Sequence, residues 1–376
     1  MKKMGFIFDG ITEPINLREY HVARALQARG WDILWLNLNP GRCDIAHSFK
    51  SVSLNKVPGN RYLALLKSAW LFKRNGVTAV WIEGWRNRYH NYILFEVGVM
   101  RMLGFKVVYD PIDPVFEYQS ASDLVEATRA EKLRRRMNLI YRLCHLVLVV
   151  TPELRDLMIK NGAPADRLSV ARFGTNAEIG IPSATTQVAA PHPVRFTLGW
   201  LGSMTRFKGI EEVFIPALKR LHQYTHDIDV LIAGHGPLLP AFEKLKLVLG
   251  DRLHILGTLD YRDMPAFLGQ LQLYVIPLND QDAFSCSVLP VKLFDALLAG
   301  IPVVITDTPT TRKFACAYPS IYLAQNQPDS FVAQILKIQS NYADAVAAAR
   351  QSMPGAQQLT QACIARTIAE QVIRRC

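Results

Sequence analysis

Residues 287–306 read SVLPVKLFDALLAGIPVVIT, an apolar helical pattern that runs straight into an apolar, β-branched strand pattern. Ser287 suits a helix N-cap, Pro290 the first turn and Gly300 the C-terminal stop, so the spacing predicts a helix beginning near residue 288. Lys292 and Asp295 interrupt this run one turn apart. They are either a salt bridge on a helix face or part of a ligand site.

Working outward, the same alternation fills the chain. In the first half the strand candidates are residues 4–9, 32–37, 78–83, 106–110, 146–151 and 168–172, separated by helical stretches such as LREYHVARALQARG, which ends on Gly30. The segment GIPSATTQVAAPHPV, residues 180–194, has no periodicity and reads as a linker. The pattern restarts with strand candidates at 195–202, 228–236, 252–257, 273–278, 302–306 and 320–324. Unbroken apolar strands between helices imply parallel sheets covered on both faces. The expected architecture is α/β with two doubly wound domains, residues 1–180 and 195–350, joined by a linker at 181–194. Residues 351–376 carry an amphipathic helix with Cys363, Ile364, Ile368 and Val372 on one stripe. In such sheets ligands bind beyond the carboxyl ends of the strands, so two facing domains would frame a cleft.

The totals bound the function. No window of this 376-residue chain reaches the roughly 18 apolar residues that span a bilayer. MKKMGFIFDG reads as a first strand, because Asp9 comes too early for a signal peptide. Six cysteines without C-x-x-C or metal spacing fit reduced thiols in the cytoplasm, and no metal site is expected. The formal charge of +11 calls for an anionic partner or a solvated face. Much of the excess lies in RAEKLRRRMNLIYRLCH, residues 129–145, with Leu133, Met137, Ile140, Tyr141 and Cys144 on one face. Its basic face fits plain solvation or peripheral contact with anionic lipid at the inner face of the membrane. No aromatic-interleaved basic motif or zinc-finger spacing points to nucleic acid.

Three stretches carry candidate chemistry. The helix at 288 would aim free N–H groups and a positive dipole end at an anion, and a diphosphate there needs no metal. Asp295 would accept hydrogen bonds from ribose hydroxyls, and Lys292, unfavourable at a helix start, makes sense beside an anion. In GWLGSMTRFKGIEEVFIPALKRL, residues 199–221, Arg206 and Lys208 follow a strand end and suit phosphate oxygens as well as a solvated loop. LIAGHGPLLPAFEKL is a further strand, glycine turn and helix; its G-x-G lacks the third glycine of a dinucleotide fingerprint, and His235 reads as an exposed loop residue.

The order GSMTRFKG, IAGHGP, LHILGTLDYRDMPAFLGQ, LYVIPL and PVKLFDALLAGIPVV resembles the nucleotide-sugar domain of family 4 glycosyltransferases, which are retaining enzymes with two Rossmann-like domains, the GT-B fold. The resemblance covers residues 195 to about 325 and extends in pattern to LGFKVVYDPID and LVLVVTPELRDLMIKNGAPADRLSVARFGTN. It implies a donor site formed by Gly10, Gly202, Ser203, Arg206, Lys208, Gly234, Leu259, Ser287, Val288, Leu289, Lys292 and Asp295. Asp295 falls on the family's second, ribose-binding acidic position, while Ser287 replaces the first glutamate. A family branch with P-x-K-x-x-E is closer to Pro290, Lys292 and Asp295. Lys208 matches the phosphate-binding lysine, Ser203 replaces its arginine partner, and Arg206 would supply that charge.

The family's histidine after the vvyD strand is missing from YDPIDP, which offers Asp110, Ile112 and Asp113. Asp113 would position acceptor or sugar, or cap the turn beside Pro114. Glu83, Trp85 and Arg86 form an expected acceptor platform, and their aromatic also fits simple packing. The resemblance implies transfer from a nucleotide-diphosphate sugar, UDP- or GDP-linked, to a saccharide or lipid-linked saccharide in cell-surface polysaccharide or glycoconjugate synthesis. Lys208 and Arg206 would stabilise the leaving diphosphate, with no further cofactor. An inactive nucleotide-sugar-binding or scaffold protein and a GT-B epimerase are the rival readings.

Overall fold

The computed structural model describes residues 2–8, 18–37, 49–53, 61–83, 90–114, 116–117, 127–176, 195–205 and 208–376. Gly10, Trp85, Arg86, Arg206 and the linker at 181–194 lie outside the described residues. The chain forms two compact units, Met1–Gly174 with Gln361–Cys376, and Thr175–Thr360.

In the first unit the chain runs β1 (Lys3–Phe8), α1 (Arg18–Gln27), β2 (Asp32–Asn37), β3 (Lys50–Ser53), α2 (Arg61–Arg74), β4 (Ala79–Glu83), α3 (His90–Met102), β5 (Lys106–Asp110), α4 (Ala127–Leu143), β6 (Leu146–Val149), α5 (Pro152–Lys160) and β7 (Leu168–Val170). The strands form one parallel sheet ordered β3-β2-β1-β4-β5-β6-β7. β5 and β6 are buried almost throughout, as strands covered on both faces must be. Phe6 stacks between Trp35 and Trp81, at ring-centroid distances of 5.4 and 5.7 Å. α5 starts where the Thr151 hydroxyl accepts the Leu154 N–H at 3.1 Å and Pro152 occupies the first turn.

The second unit continues with β8 (Phe196–Leu201), α6 (Ile215–Tyr224), β9 (Ile228–Ala233), α7 (Leu239–Leu249), β10 (Leu253–Ile255), α8 (Met264–Leu268), β11 (Leu273–Ile276), α9 (Val291–Leu298), β12 (Val303–Thr306), α10 (Pro309–Ala315), β13 (Ile321–Ala324), α11 (Pro328–Ser340) and α12 (Tyr342–Ala356). Its parallel sheet is ordered β10-β9-β8-β11-β12-β13. Trp200, Phe214 and Phe242 pack together in its core. A wide turn at Ile210–Phe214 leads into α6, where Pro216 has no N–H with which to continue a regular ladder.

The chain then returns as α13 (Gln361–Arg375), which belongs to the first unit and packs along α1. Its buried stripe is Ala365, Ile368, Ala369 and Val372; Cys363 and Ile364, expected on that stripe, are half-buried at its margin. Gln371 donates to the Val170 carbonyl at 2.8 Å, and Arg29 pairs with Glu370 at 3.0 Å.

The observed division differs from the boundaries expected at 180 and 351. Thr175 pairs with Thr360 in an isolated parallel bridge and donates its N–H to Leu359 at 2.8 Å, which ties both positions into the second unit. Residues 351–360 complete α12 and a short turn before α13 begins.

Candidate functional site

In the second sheet the connections progress outward in opposite directions from β8 and β11, so the loops after these two strands flank the point where the order reverses. That is where an open parallel sheet leaves a crevice at its carboxyl edge. The loop after β8 is laced to the loop after β9 by backbone alone. Gly202 N–H donates to Ala233 at 3.0 Å, Met204 N–H to His235 at 3.0 Å, and Leu238 N–H to Met204 at 3.1 Å. The approach is so close that a Cβ on Gly234, at φ +136°, would stand 1.9 Å from the Gly202 carbonyl oxygen. Glycine is required there by contact and by conformation together. The G-x-G turn thus holds two loops in register, and His235 is exposed.

Lys208 follows in the same loop, its Nζ 3.9 Å from where a Gly202 Cβ would lie. Gly209, at φ +64°, rests on the stretch after β11, where a Cβ added to it would stand 3.2 Å from the Leu278 carbonyl oxygen. Lys208 is therefore carried at the junction of the two reversing loops. Ser203 is exposed in this loop. The enclosed Thr205 hydroxyl has no hydrogen-bond partner among the described residues. It is a polar group that sequence reasoning passed over.

The chain leaving β11 makes a short turn at Ser285–Ser287 before α9. Here the expected N-cap is corrected: the Ser287 hydroxyl donates to the Ala283 carbonyl at 2.6 Å, and α9 starts at Val291 with Pro290 at its cap. A proline imposes extended backbone on the residue before it, so Leu289 could not be helical as readily as the apolar pattern implied. Val288 is extended, and Val288 and Leu289 are half-buried. At the start of α9 the Leu293 N–H is taken by the Pro290 carbonyl at 3.0 Å, and the helix presents a positive dipole end. Lys292 lies in that turn. Burial lowers the pKa of its ammonium, against the raising pull of Asp295. Leu259, half-buried, follows β10.

Asp295 is 4% exposed and accepts a hydrogen bond from the Thr175 hydroxyl. Burial raises its pKa to about 6, opposed by that hydrogen bond and by Lys292. No salt bridge joins Lys292 to Asp295 among the described residues, and the buried carboxylate is no solvated surface partner. The pair is therefore not a salt bridge on an exposed helix face. Thr175, 120 residues away in sequence, was invisible as a partner.

In the first sheet the order reverses between β1 and β4. Glu83 ends β4 beside Asp110, which ends β5. Arg18, 2% exposed at the start of α1, donates to Asp110 at 3.4 Å and to the Ala171 carbonyl at 2.5 Å. Burial, the Arg18 charge and a hydrogen bond from the Ile112 N–H compete at Asp110, and burial wins, raising its pKa. Burial pushes the adjacent Glu19 up to about 7, and Glu19 shares a hydrogen bond with Glu83. Ile112 has φ +58°, uncommon for a β-branched residue. Asp113, in the bend beyond it, is exposed. The Arg18, Glu19 and Asp110 cluster was not anticipated as a unit. Asp229, in β9, is buried beside Arg195 and Arg252 at 3.6 and 3.7 Å and has a structural setting.

The two parallel sheets and the strand-end site define the α/β, two-domain GT-B architecture. Residues 195–341 match the family model described as Glycosyl transferases group 1. Eighty-two residues are 32% identical to a protein of Bacillus subtilis (strain 168) named as a teichuronic acid biosynthesis glycosyltransferase, TuaH, covering 22% of this chain and 20% of that protein. The match thus spans about one fifth of that relative's length. Among solved structures, sucrose-phosphate synthase from Thermosynechococcus elongatus has a TM-score of 0.71 at 17% identity, over 100% of this chain and 99% of that one. Anabaena HepE, solved with UDP-glucose, has a TM-score of 0.71 at 14% identity over 100% of both chains. At these identities the structures share the fold.

Proposed function

We propose that this protein transfers a sugar, with retention, from a UDP- or GDP-linked donor to a saccharide or lipid-linked saccharide acceptor in cell-surface polysaccharide or glycoconjugate synthesis. The observation that carries this reading is the seating of the Lys208 loop on the chain leaving β11, at the order reversal of the second sheet. Lys208 and the α9 N-terminus bring positive charge to one strand edge, where a diphosphate would sit. Arg206 would add to it. Asp295 would meet the ribose from the first turns of α9, with Thr175 fixing one carboxylate oxygen. The UDP-glucose bound by HepE and the name of TuaH favour a nucleotide sugar and a cell-surface product.

Charge growing on the leaving diphosphate would be stabilised by these preorganised donors, and the departing phosphate would take the acceptor proton. Asp113, Glu83, Trp85 and Arg86 are proposed to contribute to acceptor handling. Incubation with labelled UDP- and GDP-sugars and saccharide acceptors tests the reading. Transfer with the donor's anomeric configuration kept supports it. Tight donor binding with no transfer or hydrolysis over a broad acceptor set would replace it with a binding protein, and interconversion of free donor sugars would replace it with an epimerase.

A further inference from the structure

The outer face of α2 has no place in the site just described. Its inner face is fully used: Leu65, Ala69 and Phe72 are buried, and Phe72 packs against Gly5 and Phe105. Outside, Leu66 and Trp70 are exposed one helical turn apart, Trp70 by 57%. Tyr62, a further turn back, stacks edge-on against exposed Phe95 of α3 at 5.0 Å, so the apolar strip continues onto the neighbouring helix. Met102, at the end of α3, is 81% exposed. Tyr62 also packs on the buried Tyr92 of α3 at 5.6 Å, whereas Leu66 and Trp70 stay exposed beside it.

The charges around it are mostly positive; the half-buried Glu131 of α4, bonded to Arg134 and Arg135 at 2.7 Å, is an acidic exception. Exposed Lys67, Lys73 and Arg74 lie on α2, which contains no acidic residue, and Arg74 sits over the Trp70 ring at 5.2 Å. α3 packs in turn against α4, whose exposed positions include Lys132, Arg135 and Arg142. Aromatic and aliphatic side chains ringed by long cations suit an interface with apolar depth and anionic headgroups. A second copy of the chain would bring like charges together, so self-association is disfavoured.

We propose that the outer faces of α2 and α3, with the basic face of α4 beside them, form a docking surface for an anionic lipid bilayer, with Leu66 and Trp70 entering the headgroup boundary. This deepens the lipid-linked reading of the acceptor by naming the surface. Because the assay below uses neither donor nor acceptor, its failure and the failure of the transfer reading are separate.

The test is sedimentation of the full chain with vesicles of phosphatidylcholine alone and with about one third phosphatidylglycerol. Binding is expected to the anionic vesicles, at least about ten-fold tighter than to the neutral ones, and to weaken with salt. The double variant Leu66→Ser with Trp70→Ser should lower the partition coefficient about ten-fold or more. Reversal of Lys67, Lys73 and Arg74 to glutamate should lower it about 100-fold. Leu247→Ser, at an 87% exposed apolar position on α7, is the matched control and should change nothing. Unchanged thermal midpoints show that the variants fold. Binding that is equal on both vesicle types, that survives the α2 variants, or that falls equally in the Leu247 control overturns the assignment. So does a concentration-dependent dimer, seen by light scattering, that the Leu66 and Trp70 substitutions abolish in the absence of vesicle binding.

Discussion

The two sheets reverse strand order in the same way and build the reversal from opposite materials. In the second unit the loops after β8 and β9 are joined backbone to backbone, with Gly234 against the Gly202 carbonyl and the buried carboxylate of Asp295 held by Thr175. In the first unit the corresponding edge is a buried charge cluster, with Arg18 beside Asp110 and Glu19 hydrogen-bonded to Glu83. A backbone-laced edge holds its loops in register without side-chain charge. A charge cluster is polar, and it depends on the pairing of each member.

That contrast can be broken by substitution. The largest effect is expected at Gly234→Ala, because the new methyl would meet backbone that no rotamer change can move. Loss of about 4 kcal/mol or more is expected, read as failure to recover folded protein or as a collapse in denaturant midpoint. Next is Arg18→Ala, which leaves Asp110 buried without its counter-charge, at a cost of about 3–5 kcal/mol. Arg18→Lys should not restore stability, since the bond to the Ala171 carbonyl needs the second arm of the guanidinium.

Smaller still is Thr175→Val, expected to lower stability by about 1–3 kcal/mol by leaving Asp295 without its donor. Thr175→Ser should recover most of it. If valine is as stable as threonine, the buried carboxylate is satisfied in some other way and the contrast weakens.

pH separates the two edges further. Glu19 has its folded pKa raised to about 7 from 4.5, so the folded state holds more protons than the unfolded state between these values. Its contribution to stability therefore falls as pH rises through that window. Asp295, raised from 3.8 to about 6, has the same sign in a more acidic window. Denaturant titrations across pH should show the decline near pH 6–7 flattened by Glu19→Gln, and the decline at lower pH flattened by Asp295→Asn. A profile unmoved by Glu19→Gln would show that the Glu19 carboxyl is not held protonated.

Much of the fold was legible because buried parallel strands announce themselves as apolar runs. The expected strands all form, with ends shifted by at most three residues. β3, KSVS, was missed because a short polar strand at the sheet edge has no such run. The α9 start was displaced because Ser287 looks like a cap in isolation, whereas its hydroxyl turns back to Ala283 and Pro290 imposes extended backbone before the helix. Lys208 and Asp295 could be chosen from motif order, and the seating of Gly209 on Leu278 gives the lysine loop its physical place. Thr175 and the Arg18 cluster were not legible, because partners 120 and 92 residues apart meet only when the strands are ordered. The exposed strip on α2 was also hidden, since a helix apolar on both sides has little contrast between its faces to read.

Calorimetric titration of the full chain with UDP and GDP, for the native sequence and for Lys208→Ala and Asp295→Asn, tests the central claim most directly. Saturable binding of one nucleoside diphosphate, weakened about ten-fold or more by each substitution, is the result predicted. Affinity that is unchanged by both substitutions would place the diphosphate elsewhere and contradict the account.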